Sequence, residues 1–143
     1  MKSKAFWSVV VLLSTCIPAA PAQAPQFKVI VNGSVVGGAV SKNVLSEIYL
    51  GRTVRWADRS PITPVDQSAT SPLRASFSQS VLGMNVFDVQ THWMRQIGTG
   101  VRPPVTKASD ADVIELVASK PGSIGYVSAD AQLPPAVRAV SLQ

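Results

Sequence analysis

The run Asp66-Gln-Ser68-Ala-Thr70-Ser71-Pro72-Leu-Arg74 gathers three hydroxyls and one guanidinium within seven residues of chain. Ile62 to Val65, just before it, reads as a strand, and Leu73, Phe77 and Val81, spaced by four, read as the apolar face of a helix that Gly83 ends. Ser71 then falls at the N-cap and Pro72 at the first helical position. Backbone N–H groups without intrahelical partners, at the positive end of the helix dipole, attract negative charge. Ser68, Thr70 and Ser71 add hydroxyl donors, and Arg74 adds a permanent cation one turn in. The chemistry this pattern suits is capture of a small oxyanion through Ser68, Thr70, Ser71 and Arg74, with no bond made or broken. An ordinary capped helix after an ordinary loop accounts for the same residues.

Other chemistry finds little to work with. Cys16 is the only cysteine and His92 the only histidine among 143 residues. A histidine or cysteine metal site is therefore not expected, and no cofactor is implied. The acids show no paired-carboxylate spacing, and neither a nucleophile elbow nor a phosphate-cradling glycine loop occurs. Ser71 has no recognisable base to activate it, and its capping role explains it. The chain does not read as an enzyme.

Lys2 and Lys4 precede the apolar run Ala5 to Leu13, and small residues and prolines follow, the pattern of a secretory signal peptide. Cleavage after Ala22 competes with cleavage after Ala24. The first is preferred, because the second puts Pro25, which has no N–H, just past the scissile bond. The apolar run falls short of the roughly 20 residues that span a bilayer. Cys16 in Leu13-Ser-Thr-Cys16 faintly suggests a lipoprotein signal, a minor alternative. Residues 1–22 are thus expected to direct export to the periplasm or beyond, leaving 23–143 as one domain. Loss of Lys2 and Lys4 takes Lys plus Arg from 13 to 11 against 8 acids. A net charge of about +3, with its cations scattered, does not point to nucleic acid.

The rest of the chain alternates strand and helix signals. Phe27 to Asn32 is β-branched and ends in the Asn32-Gly33 turn. Ser41 caps a helix carrying Val44, Leu45, Ile48 and Tyr49, which Gly51 ends. Trp56, in the connector 51–61, reads as a packing anchor. Asn85 caps a helix with Val86, Val89, Trp93 and Ile97 on one face, and His92 reads as a surface or partly packed helical residue. Ser109 opens a helix that buries Val113, Ile114 and Val117 before Pro121-Gly122. Ile124 to Val127 and Ala136 to Leu142 are the last strands, Gly125 marking close approach of a backbone or ligand. The expected fold is α/β, a mainly parallel sheet flanked by helices, with any ligand at the carboxyl ends of strands, where residues 66–71 fall.

Several segments together resemble the substrate-binding proteins of phosphate ABC transporters, the PstS-like branch of the periplasmic binding proteins. They are Ile48-Tyr-Leu-Gly51, Val54-Arg-Trp56-Ala-Asp58, Ile62-Thr-Pro-Val65 leading to Ser71 and Phe77, His92-Trp-Met-Arg-Gln-Ile97, and Pro121-Gly-Ser-Ile-Gly-Tyr-Val127, in family order over 27–142. The resemblance implies a single lobe of a type II periplasmic-binding-protein-like fold, phosphate or a similar oxyanion as ligand, and an ABC transporter permease or another envelope protein as partner. Full-length members have two such lobes, so this chain matches one, and a homodimer or a partner could complete the clamp. The family's loop carries an arginine, three residues, then serine-glycine-threonine; here Gln67, Pro72 and Leu73 stand at the arginine, glycine and threonine. Only Ser71 is kept. A binding-protein lobe that has lost its ligand and serves as an interaction or accessory domain in the envelope is the competing reading.

Overall fold

The computed structural model describes Cys16, Pro18, Ala19 and residues 26–143; the expected signal peptide otherwise lies outside the described residues. Six strands, β1 (Phe27–Asn32), β2 (Ala39–Val40), β3 (Thr63–Gln67), β4 (Val105–Lys107), β5 (Ser123–Ser128) and β6 (Val137–Leu142), form one sheet in the order β2-β6-β1-β5-β3-β4. β3 is parallel to β4 and β5, and β2 to β6, while β1 is antiparallel to both β5 and β6. Five strands therefore point one way, which meets the expectation of a mainly parallel sheet, and β1 alone runs against them, a reversal not expected from the sequence.

Among the described residues, α1 (Lys42–Tyr49), α2 (Pro72–Phe77, continuing as a π turn through Leu82) and α4 (Asp110–Ser119) pack on the sheet, and α3 (Val86–Gln96) sits against the end of α1. Each has the expected N-cap. Ser41, Ser71, Asn85 and Ser109 accept from the N–H three residues on, meeting a donor that the helix cannot pair itself. Alternation along the strands divides the core in two. On one face Val29, Val31, Ile124 and Tyr126 meet Leu45, Ile48 and Tyr49 of α1 and Phe77 of α2. On the other, Ile30, Val65, Val127 and Val137 meet Val113 and Val117 of α4.

Three differences from the sequence expectations have physical causes. β2 and β4 are edge strands of two and three residues that owe their form to pairing with a neighbour rather than to a local β-rich run. β3 runs two residues further, through Asp66 and Gln67, both buried. Ile97 leaves the α3 stripe because the helix ends at Gln96; Ile97 adopts an extended ψ of 128° and stands 80% exposed. The close approach at Gly125 is to helix side chains: a Cβ there would lie 2.8 Å from Val113 Cγ1. Trp56 anchors its loop by donating to the Gly122 carbonyl at 2.9 Å.

Candidate functional site

The chain leaves the sheet at the carboxyl end of β3, turns through Ser68 to Thr70, and enters α2 at Ser71. Ser68 and Thr70 stay at the surface with their hydroxyl oxygens 3.2 Å apart. Ser71 is turned inward: its Oγ donates to Gln67 Oε1 at 2.8 Å and accepts from the Arg74 N–H at 3.4 Å. Its own N–H goes back to the Ser68 carbonyl at 2.9 Å, and Pro72 has none to offer.

Arg74 does not project into solvent. It is buried, with Nη2 3.2 Å from Asp66 Oδ2 and Nη1 donating to the Gln67 carbonyl at 2.9 Å, while Nε has no partner. The four residues read from the sequence therefore divide in the fold: Ser68 and Thr70 share the open rim, Ser71 the capped turn, and Arg74 the interior beneath it.

The residues that the sequence reading passed over are those that hold Arg74 in place. Asp66 Oδ1 accepts from the Tyr126 hydroxyl and, at 2.8 Å, from the Gln67 N–H. Burial removes the Asp66 carboxylate from water and holds its pKa above the usual 3.8, against the opposing Tyr126 hydrogen bond and Arg74 charge. Burial, and next the Asp66 charge, push the Tyr126 phenol up in turn. Tyr126 stacks on Phe77 of α2, ring centroids 4.0 Å apart, and Tyr49 donates to the Val65 carbonyl at 2.7 Å. Gln67 crosses to α4, its Nε2 donating to Asp110 Oδ1 at 2.8 Å, and Asp110 Oδ2 accepts from the Ser128 N–H at 3.1 Å. A usable signal was present: Asp66 follows Val65 in a strand pattern, and a charge at a strand position that alternation turns toward a helix needs a partner such as Arg74.

His92 contacts the Leu50 carbonyl through Nε2 at 2.9 Å, tying α3 to the end of α1. Among the described residues no three His, Cys, Asp or Glu side chains are grouped so as to hold a metal ion, and no helix is long and apolar enough to cross a membrane.

No family model matches the chain, and no curated protein matches it in sequence. Its fold, however, is found in solved structures. An ABC-type phosphate transport receptor from Vibrio cholerae superposes with a TM-score of 0.64 at 20% identity, covering 82% of this chain and 46% of that one. A putative phosphate ABC transporter substrate-binding protein from Clostridium perfringens, solved with bound phosphate, gives 0.64 at 18% identity, with 82% and 44% covered. PstS from Borrelia burgdorferi gives 0.65 at 16%, with 82% and 47% covered. The chain thus spans less than half the length of these proteins, and its fold is that of one lobe of such a binding protein.

Proposed function

We propose that this chain is a non-catalytic binding module of the extracytoplasmic solute-binding type, taking phosphate or a similar small oxyanion at the end of β3. The observation that carries the reading is the fold likeness to phosphate-binding receptors, together with the surface hydroxyls of Ser68 and Thr70 beside the α2 cap. Ser71 and Arg74 complete the proposed site, Ser71 through its hydroxyl and Arg74 as a cation set beneath the turn. A lone lobe meets an anion from one side only and leaves the other to water, which competes for its charge. The affinity is accordingly expected to be weaker than that of a closed clamp. A permease, another envelope protein or a second copy of the chain would supply the opposite wall.

A second reading is favoured by one specific feature. The Arg74 charge is already offset by Asp66, and the Ser71 hydroxyl is already spent on Gln67. A lobe in that condition suits an interaction or accessory domain that has given up its ligand.

Calorimetric titration of the purified chain with inorganic phosphate, in phosphate-free buffer at low salt with sulfate as control, separates the two. The oxyanion reading expects saturable binding that the double variant Ser68→Ala, Thr70→Ala weakens by about tenfold, near 1.4 kcal/mol, with no loss of thermal stability. Silence up to millimolar phosphate from a folded chain overturns it and turns the search to protein partners.

A further inference from the structure

The sheet opens at the amino end of β3, away from the candidate oxyanion site. β4 begins at Val105, opposite Val65. The same register carried backward would set Pro104 against Pro64 and Pro103 against Thr63. Successive residues of a strand face opposite edges, so two prolines in a row leave no N–H for the ladder whichever of them faces β3. The connector before β4 therefore leaves the sheet. Between it and the edge of β3 lies a cavity of about 450 Å³, within the roughly 300–1,000 Å³ of small-molecule sites. None of Ser68, Thr70, Ser71 and Arg74 lines it.

Two observations give this cavity its chemistry. Its walls are mainly apolar: Ile62, Val101 and Pro103 line it together with Val54 and Val105, which stand 53% and 42% exposed and would be covered by an occupant. Its charged lining is of one sign. Arg102, from the connector, and Lys120, at the end of α4, are both exposed, and no carboxylate lines the cavity. Among the described residues the one ion pair is that of Arg74 with Asp66, so neither Arg102 nor Lys120 is held by an acid. Glu47 accepts from the Thr53 hydroxyl at 3.2 Å and does not itself line the cavity. Inorganic phosphate would gain nothing from the walls, and an uncharged apolar molecule nothing from the two cations. A carboxylate matches the guanidinium and the ammonium, and an attached aliphatic chain matches the walls.

We propose that this cavity binds a small amphipathic anion, a carboxylate head on a short aliphatic body, with the head at Arg102 and Lys120 and the body against Val54, Ile62 and Val101. The site shares no residue with the oxyanion site and does not rest on that reading.

The test titrates octanoate into the full chain by calorimetry, with octanol as the uncharged control and inorganic phosphate as a separate titrant. The double variant Arg102→Gln, Lys120→Gln removes both charges at exposed positions, and Val54→Glu sets a carboxylate on the apolar rim; melting temperatures verify that each folds. The expected result is saturable octanoate binding, about tenfold weaker in the double variant and in Val54→Glu. Octanol is expected to bind the unaltered chain more weakly than octanoate does, with no change in the double variant. Absence of saturable octanoate binding by the folded chain up to millimolar concentration overturns the proposal. So does octanol binding as tight as that of octanoate, or octanoate binding that the double variant leaves unchanged. Octanoate bound as expected beside silence toward phosphate supports this site and counts against the oxyanion reading alone.

Discussion

The two faces of the sheet are built on opposite plans from adjacent residues of the same strands. Beneath α4 the core is aliphatic: Ile30, Val65, Val113, Val117, Val127 and Val137 pack without a buried charge among them. On the α1 and α2 side the aromatic rings of Phe27, Tyr49, Phe77 and Tyr126 pack on one another, and the Tyr126 hydroxyl reaches the Asp66–Arg74 pair. The α4 face also buries polar groups, Asn32 donating to the Val117 carbonyl at 2.7 Å among them, but those are neutral, whereas the other face must keep a buried ion pair matched.

Breaking that polar side is expected to have the largest effect. Asp66→Ala leaves Arg74 as an uncompensated buried cation, and Arg74→Ala leaves the carboxylate so; removal of one partner of such a pair costs about 3 to 5 kcal/mol. The double variant Asp66→Val, Arg74→Met makes this face resemble the other, and its stability is expected to return to the wild-type value or exceed it. Urea unfolding of the three variants checks both statements. A double variant as unstable as either single one would show that the pair organises the fold rather than merely being tolerated by it.

The aliphatic face is sharpened by the opposite kind of change. Gly125 lies where β5 passes under α4, and an added Cβ would stand 2.8 Å from Val113 Cγ1 and 3.4 Å from Val117 Cγ2. Gly125→Ala is therefore expected to cost about 1 to 3 kcal/mol through overpacking. Val113→Ala in the same chain should recover part of that loss, because it removes the methyl group that the new one meets. A double-mutant cycle in thermal or urea unfolding reads the coupling directly, and strict additivity would refute the contact.

The same contrast explains what could be read in advance. Periodicity and capping residues mark the helices under Ser41, Ser71, Asn85 and Ser109 because those signals are local, and the aliphatic strands show as β-branched runs. β2 and β4 have too few residues to carry a pattern and exist by pairing. The candidate site was legible as a turn and as a set of donors, Ser68, Thr70, Ser71 and Arg74. Its electrostatics were not, because the partner of Arg74 lies eight residues back on β3, and Tyr126, which supports that partner, lies on β5. Pairings of that kind are set by tertiary contact, and only the register of β3 against β5 brings them together.

Tyr126→Phe tests that support with a smaller effect. Asp66 keeps the Gln67 N–H and the Arg74 charge, so the lost hydroxyl should cost about 1.5 to 3 kcal/mol at neutral pH, the range for a hydrogen bond to a charged group. The pH dependence distinguishes this loss from simple packing. The folded-state pKa of Asp66 is raised by burial, so its contribution to stability is fully present below the unfolded carboxylate value of 3.8 and is lost as pH rises through the raised value. The Tyr126 hydrogen bond lowers that pKa, and removing it should raise the folded value further. The variant then gains more than the wild type on acidification, and its deficit should narrow between neutral pH and about pH 4. Urea midpoints at the two pH values measure the difference. A deficit that stays constant or widens would mean that the Tyr126 hydroxyl does not favour the charged form of Asp66, and that the aromatic ring matters on this face chiefly for its stacking on Phe77.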